Sequence, residues 1–164
     1  TTSMGRLFDA IASLLDVSQR CDYEGQAATE LEAVAAGAST AAHGWDGASA
    51  VREDEGSLVI DPGGWIRAAV ADHRVGVPVA TSALAFHRAL AESVVEAVRL
   101  LAEREGIRTV GLTGGVFSNA VLLSACQRSL SRAGLTVLTH RIVPANDGGL
   151  ALGQVAVAAA GGAF

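Results

Sequence analysis

Apolar side chains at the start of the chain recur every three or four residues, the spacing that places them on one face of an α-helix. This first pattern consists of Met4, Leu7, Phe8, Ile11, Leu14 and Leu15. Hydroxyl side chains at residues 1–3 can cap its first turn. A second helical pattern covers residues 27–35 and stops at Gly37, since glycine commonly ends helices. The start of the chain therefore predicts two adjacent helices.

The middle of the chain combines patterned and unpatterned segments. Residues 37–56 are rich in Gly, Ala, Ser and acidic residues without a sustained period, which predicts a loop or an insertion. Residues 57–60 form a short run typical of a strand, and the Asp-Pro pair directly after it can open a helix. The longest helical pattern covers residues 84–101 and ends before Gly106. Because this pattern is apolar on nearly every side, we expect a central helix.

The last third of the chain has the order strand, helix, strand, helix. Residues 109–112 predict a buried strand, and a diglycine turn leads from it into a helix over about 118–133. A second strand follows at 135–139, and an alanine-rich helix begins at Leu150. A strand-helix-strand unit of this length predicts parallel strands joined by a right-handed crossover. The fold class expected is α/β, with a mixed sheet flanked by helices.

Composition and charge limit the classes of protein to consider. Of the 164 residues, 50% are apolar, yet no apolar run reaches the roughly 18 to 20 residues of a membrane-spanning helix. The net charge of −5 and the absence of an arginine cluster argue against nucleic-acid binding. Cys21 and Cys126 lie far apart in different predicted helical regions, which favours reduced thiols in a cytoplasmic protein. We expect a single lobe over residues 1–164, without a signal peptide and from the middle of a longer chain.

The first candidate site is the segment Thr113-Gly-Gly-Val-Phe-Ser-Asn119, between a predicted strand and a predicted helix. Open α/β sheets bind ligands at this end of their strands. Gly114 and Gly115 would let a ligand approach the backbone, and the amides of the helix N-terminus could face an anion. The alternative is a tight turn with Asn119 in the first turn of the helix.

The second candidate site is Asn146-Asp-Gly-Gly149, which again lies between a strand and a helix. The carboxylate of Asp147 could bind a divalent cation, and Gly148 would leave room for phosphate. The alternative is that Asn146 or Asp147 caps the last helix. Because the carboxyl ends of parallel strands meet at one edge of a sheet, both candidate segments should line one cleft.

Other residues carry weaker signals. Gly25, in the turn Asp-Tyr-Glu-Gly-Gln at 22–26, can adopt a positive φ, although such a turn also serves as an ordinary connector between helices. No two histidines have the close spacing of a zinc site. His87 lies in the long apolar helix and predicts a hydrogen-bonded interior histidine. Cys126 predicts a buried, unreactive thiol. The catalytic residues remain unknown from these patterns.

Five segments, in this order, resemble the C-terminal part of the hydrogenase maturation carbamoyltransferases. They are Thr-Ser-Met-Gly-Arg-Leu-Phe-Asp at 2–9, Tyr-Glu-Gly-Gln-Ala-Ala at 23–28, Ala-Phe-His at 85–87, Leu-Thr-Gly-Gly-Val-Phe-Ser-Asn at 112–119, and Val-Pro-Ala-Asn-Asp-Gly-Gly-Leu-Ala-Leu-Gly-Gln at 143–154. The resemblance implies one lobe of an actin-like ATPase fold. This fold is shared with tRNA threonylcarbamoyladenosine synthesis proteins and antibiotic O-carbamoyltransferases.

The resemblance also implies an activity. In this family, carbamoyl phosphate and ATP give a carbamoyl-adenylate, whose carbamoyl group passes to the C-terminal cysteine of a partner maturation protein. It implies ATP and a divalent metal ion as cofactors, with Asp147 as a metal ligand. The residues implied to contact the nucleotide are Gly25, Gly114, Gly115, Asn119 and Gly148. Thr113 and Ala145 depart from the family pattern, where serine and proline are common.

The family's histidine-rich metal motif, acylphosphatase-like region and zinc-finger region do not occur in this sequence. We therefore expect the chain to fold but not to turn over, with the preceding lobe as a partner and homodimerisation through the apolar surface left exposed. Two alternatives stay open. One is a carbamoyltransferase of the same fold that acts on a small hydroxylated molecule or on tRNA-linked threonine. The other is a noncatalytic nucleotide-binding or assembly module.

Overall fold

The computed structural model describes residues 3–39, 44–45 and 50–161. Parts of the loop predicted over 37–56, including His43, lie outside the described residues. Within the described residues there are six α-helices: α1 (Met4–Leu14), α2 (Gln26–Ala36), α3 (Gly63–Val75), α4 (Val79–Glu105), α5 (Ala120–Arg132) and α6 (Leu150–Ala159). The strands are β1 (Val51–Asp54), β2 (Ser57–Ile60), β3 (Thr109–Leu112) and β4 (Thr136–Thr139).

Helices α1 and α2 pack against each other, as their apolar spacing predicts. Ser3 caps α1, since its side-chain oxygen accepts a hydrogen bond from the backbone N–H of Arg6. Gly37 is the C-cap of α2. The buried side chains of the two helices are Phe8, Ile11 and Ala12 of α1 and Ala27, Leu31 and Ala35 of α2. The predicted helix pair is confirmed.

The prediction of a loop up to residue 56 is wrong at its end. Residues 51–54 form β1, which pairs antiparallel with β2 in a hairpin. The two turn residues, Glu55 and Gly56, have φ values of 47° and 82°, the left-handed conformation typical of tight hairpin turns. Most side chains of β1 are charged and exposed, so the strand has no apolar alternation by which the sequence could reveal it.

Helix α4 is the centre of the core, as predicted, but only over its first half. Between Ser82 and Ser93 most of its side chains are buried, whereas Leu100 and Leu101 near its end are 41% and 44% exposed. Phe86 lies at the middle of an aromatic cluster. Its ring centroid is 5.0 Å from that of Phe8, 6.1 Å from that of Trp65 and 6.2 Å from that of Trp45. This cluster joins α1 and α3 to α4.

Strands β3 and β4 are parallel, with Leu112 opposite Thr139 at their carboxyl ends, which confirms the predicted pairing. Helix α5 connects them and packs against β4. The expectation that β3 is buried is wrong, because Leu112 is its only buried residue. Within the described residues β3 and β4 form a two-stranded sheet separate from β1 and β2, so the fold is α/β with one parallel and one antiparallel strand pair.

Helix α6 has no buried residue. Its exposed apolar side chains are Leu150, Leu152, Val155 and Val157, at 62%, 56%, 64% and 42% exposure. Such an apolar helix in water indicates a surface that another structure covers. None of the helices in the described ranges has both the length and the apolarity that crossing a membrane requires.

Candidate functional site

A cleft of about 950 Å³ lies where four segments of the chain converge. Its lining residues come from 3–9 at the start of α1, from 21–32 around the start of α2, from 115–119 after β3 and from 146–148 after β4. This volume is within the range of small-molecule sites, roughly 300 to 1,000 Å³. The cleft therefore brings together both glycine-containing segments that the sequence singles out.

The turns after β3 and β4 are in direct contact. The backbone N–H of Gly114 donates to the carbonyl oxygen of Ala145 over 3.0 Å. A Cβ at Gly115 would stand 3.9 Å from the Cβ of Asn146. Asn119 and Asp147 both line the cleft, so the prediction that the two segments share one edge of the sheet is confirmed.

The turn after β3 needs glycine at its first position. Gly114 has φ 97° and ψ 158°, a conformation that residues with a side chain rarely adopt. Gly115 then begins a short 3-10 turn, which ends at Ser118. Gly115 and Asn119 line the cleft, whereas Gly114 does not reach it and instead holds the turn after β4.

Asn119 is the N-cap of α5, one residue before the first turn in which the alternative interpretation placed it. Its Oδ1 accepts a hydrogen bond from the backbone N–H of Leu122 over 2.9 Å. The side chain is only 7% exposed and still lines the cleft. Asn119 therefore both caps α5 and lines the cleft.

Glu32 is a cleft residue that the sequence analysis missed. Its Oε1 accepts a hydrogen bond from the backbone N–H of Ala120, the first residue of α5, over 2.6 Å. With the amide of Leu122 bonded to Asn119, two amides of the first turn of α5 already have acceptors within the chain. A carboxylate thus occupies the position where an external anion was expected. Only the fold brings these residues together, since they lie 88 positions apart in sequence.

Asn146 caps the short 3-10 turn Asp147–Gly149 after β4, whereas the N-cap of α6 is Gly149, so the alternative that Asn146 or Asp147 caps the last helix is wrong. Asn146 Oδ1 accepts from the backbone N–H of Gly148 over 3.1 Å. A Cβ at Gly149 would stand 2.8 Å from Val143 Cγ1, so a larger residue would force this turn apart. The carboxylate of Asp147 is left exposed at the cleft.

The turn before α2 also lines the cleft. Gly25 has φ 80°, which confirms the predicted positive φ, and it lines the cleft. Asp22 donates its backbone N–H to Gln26 Oε1 over 2.8 Å, and the hydroxyl of Thr29 donates to the carbonyl oxygen of Gly25 over 3.0 Å. These bonds hold the turn against the start of α2.

The charged side chains that line the cleft are Arg6, Asp9, Glu24, Glu32 and Asp147. Arg6 forms an ion pair with Asp9 over 3.1 Å. One arginine among four carboxylates leaves the cleft with an excess of negative charge. No group of three or more His, Cys, Asp or Glu side chains suited to a metal ion occurs among the residues that the structure describes. Asp147 therefore stands there as a single candidate ligand, not as part of a complete metal site.

The sequence analysis gave His87 and Cys126 no role in the site and predicted that both are buried, which the structure confirms. Burial lowers the pKa of His87, partly offset by its hydrogen bond to the carbonyl oxygen of Ala83 and by the charge of Glu32. Burial raises the pKa of the Cys126 thiol to about 11, which makes it a poor nucleophile at neutral pH. Both described cysteines are free, and Cys21 is exposed.

Residues 1–154 match the family described as "Carbamoyltransferase, Kae1-like Domain, second subdomain". A carbamoyltransferase HypF homolog of Cupriavidus necator is 40% identical over 97% of this chain and 41% of its own length. The carbamoyltransferase HypF of Rhizobium leguminosarum bv. viciae is 38% identical over 96% of this chain and 20% of its own length. The chain thus spans less than half of these relatives.

Solved structures agree with the sequence relatives. The chain superposes on full-length HypF in the phosphate- and nucleotide-bound form with a TM-score of 0.85 at 33% identity, over 95% of this chain and 20% of that one. Its TM-score with T. kodakarensis HypF is 0.73 at 25% identity, over 96% and 20% of the two chains. The fold is of the Kae1-like, actin-like ATPase type, as expected. The chain therefore belongs to the carbamoyltransferase family, in which it corresponds to the second subdomain of the Kae1-like domain.

Proposed function

We propose that the cleft is the nucleotide-binding part of an ATP-dependent carbamoyltransferase site. The residues proposed to contact or shape the nucleotide site are Gly25, Gly114, Gly115, Asn119 and Gly148. The observation that carries the proposal is the contact between the two turns through Gly114 and Ala145, because it places Asn119 and Asp147 on one cleft. A related HypF structure that superposes closely on this chain carries a nucleotide.

In the proposed reaction, water cleaves carbamoyl phosphate to carbamate and phosphate, and a carbamate oxygen attacks the α-phosphorus of ATP to give carbamoyl-adenylate and pyrophosphate. A thiolate, the C-terminal cysteine of a hydrogenase maturation partner, then takes the carbamoyl group and releases AMP. In this proposal the described residues orient the substrates and supply polar groups, and the nucleophile comes from the partner protein. Cys126 is unsuited to that role because it is buried and its pKa is raised.

The negative charge of the cleft supports the proposal that a cation binds there. A polyphosphate would be repelled by the four carboxylates of the cleft unless a divalent ion offset its charge. Asp147 would supply one oxygen ligand to that ion, and its other ligands would come from outside the described residues. When bound, the ion would neutralise phosphate charge and orient the phosphates.

The apolar surface of α6 supports a partner role for the remainder of a longer protein. We propose that the α6 surface, which is defined by the exposed side chains of four residues, packs against the preceding lobe. These residues are Leu150, Leu152, Val155 and Val157. When that lobe is absent, copies of this chain associate through the α6 surface. The free thiols of Cys21 and Cys126 favour a cytoplasmic location.

Calorimetric titration of the chain with ATP and Mg²⁺ tests the nucleotide site. Asn119→Ser keeps an N-cap acceptor but removes the amide, and it should weaken ATP binding by about tenfold, the effect of one shielded hydrogen bond. Asp147→Ala should weaken binding with Mg²⁺ but not in EDTA, where the loss of one carboxylate reduces the repulsion of the phosphates. Gln127→Ala, an exposed position on α5 outside the cleft, is the matched control. Absence of ATP binding to the unaltered chain would overturn the proposal and favour an assembly module.

A further inference from the structure

His87 is completely buried in α4 and uses both ring nitrogens. Nδ1 lies 2.7 Å from the carbonyl oxygen of Ala83, and Nε2 lies 2.9 Å from Nδ2 of Asn119. A carbonyl oxygen can only accept a hydrogen bond, so Nδ1 carries the proton and donates it to Ala83. In the neutral ring Nε2 is then without a proton and accepts a hydrogen bond from the amide of Asn119.

These contacts fix the orientation of the Asn119 amide. Its nitrogen donates to His87, and its oxygen accepts from the backbone N–H of Leu122 over 2.9 Å. Rotating the amide by half a turn would set its nitrogen against the N–H of Leu122 and its oxygen against the bare Nε2. Both contacts would then be repulsive. The second N–H of the amide is therefore the donor that Asn119 has left for a ligand in the cleft.

The imidazole itself has little freedom to move. Its ring lies edge-on to the rings of Phe8 and Phe86, with centroids 5.4 Å and 5.7 Å away. Ala83 belongs to the same helix, one turn earlier, so the bond at Nδ1 holds the ring to its own backbone. The charged group that acts on the ring is Glu32, which is itself bonded to the start of α5.

We propose that His87 is a positioning residue that makes Asn119 present a hydrogen-bond donor to the nucleotide, so that the ligand atom at Asn119 is an acceptor. This inference rests on the proposed nucleotide site. His87 contacts no ligand in this scheme and acts only through Asn119. An acceptor such as a ring nitrogen of a purine or a phosphate oxygen fits this donor, whereas an amino group does not.

Two variants separate positioning from packing. His87→Leu keeps an apolar group of similar size but removes the acceptor, and His87→Gln offers an amide oxygen in its place. ATP titration should show binding about tenfold weaker for His87→Leu, and wild-type or nearly wild-type binding for His87→Gln. In an Asn119→Ser background, His87→Leu should cause no further loss, because the two residues act as one unit. Thermal unfolding of each variant and of Gln127→Ala establishes that all are folded at the titration temperature. Wild-type affinity in a folded His87→Leu chain, or additive losses in the double variant, would overturn the proposal.

A measurement without ATP keeps this inference distinct from the proposed function. Nitrogen NMR of the free chain should show the His87 tautomer with the proton on Nδ1, and the side-chain amide signal of Asn119 should move in His87→Leu but much less in His87→Gln. If the unaltered chain binds no ATP while these signals behave as stated, the nucleotide site fails and the His87–Asn119 link stands. A proton on Nε2, or an unmoved Asn119 signal, overturns the link whatever ATP does.

Discussion

Glu32 Oε1 lies 2.6 Å from the backbone nitrogen of Ala120, so a carboxylate of α2 caps the first amide of α5. Negative charge at a helix N-terminus is stabilising, and the bond also joins two helices that line the cleft. We expect Glu32→Ala to lower the free energy of unfolding by about 1 kcal/mol, and Glu32→Gln by less because the amide oxygen still accepts. Urea denaturation measures both. Glu92→Ala, at an exposed position of α4, is the control, and an equal effect at Glu32 and Glu92 would contradict the prediction.

The buried imidazole of His87 predicts a pH dependence of stability. Its pKa in the folded chain lies below the usual value of 6.5, chiefly because burial disfavours the charged ring. Between the folded pKa and 6.5 the unfolded chain binds more protons, so stability is complete above pH 6.5, falls as pH decreases through this window, and levels off below the folded pKa. Protonation would also set two donors, Nε2–H and the Asn119 amide, against each other. Thermal unfolding over this pH range should show a smaller decline in His87→Gln, and an identical decline would exclude His87 as its source.

The two cysteines should differ sharply in reactivity. Burial raises the pKa of Cys126 to about 11, whereas Cys21 is exposed at the cleft. Because the thiolate is the reacting form, iodoacetamide at neutral pH should label Cys21 first and Cys126 only on unfolding. Peptide mass spectrometry locates the label. Cys21→Ser should remove nearly all rapid labelling, and prompt labelling of Cys126 in the folded chain would show that its surroundings are more open than described.

The α6 surface should drive association of the chain with itself. Leu152 and Val155 are 56% and 64% exposed and lie three residues apart, on one side of the helix. Replacing both with Glu should shift the chain toward monomer in sedimentation velocity, because charged side chains resist burial in an apolar contact. Gln154→Glu adds charge at a polar position of the same helix and serves as the control. If the unsubstituted chain is a monomer at every concentration, the proposal that copies of the chain associate through the α6 surface is wrong.

The chain alone should not turn over. Among the described residues no group of three or more His, Cys, Asp or Glu side chains could hold a metal ion, so Asp147 lacks companion ligands there. We expect no carbamoyl-phosphate-dependent cleavage of ATP by the 164-residue chain, measured as pyrophosphate release. Robust release at a rate independent of other proteins would contradict the assignment of this chain as part of a larger site.

Local patterns predicted most of the helices because each has an apolar face with a clear period. The spacing from Met4 to Leu15 marks α1, and glycines at 37 and 106 end α2 and α4. The strand at 51–54 was missed for the opposite reason, since its charged, exposed residues carry no period. The position of the cleft was predictable because parallel strands bring their carboxyl ends to one edge, a rule that needs only the order of the elements.

By itself, the sequence determined which segments are helical, where the two glycine-containing turns occur, and to which family the chain belongs. Only the tertiary structure decided that Glu32 meets the start of α5 and that His87 orients the amide of Asn119. These partners lie 88 and 32 residues apart, and the packing of α2 and α4 against α5 selects them. Hydrogen bonds that form because helices pack together produce no periodic pattern in the sequence. The orientation of the polar groups in a site is therefore defined only by the tertiary structure.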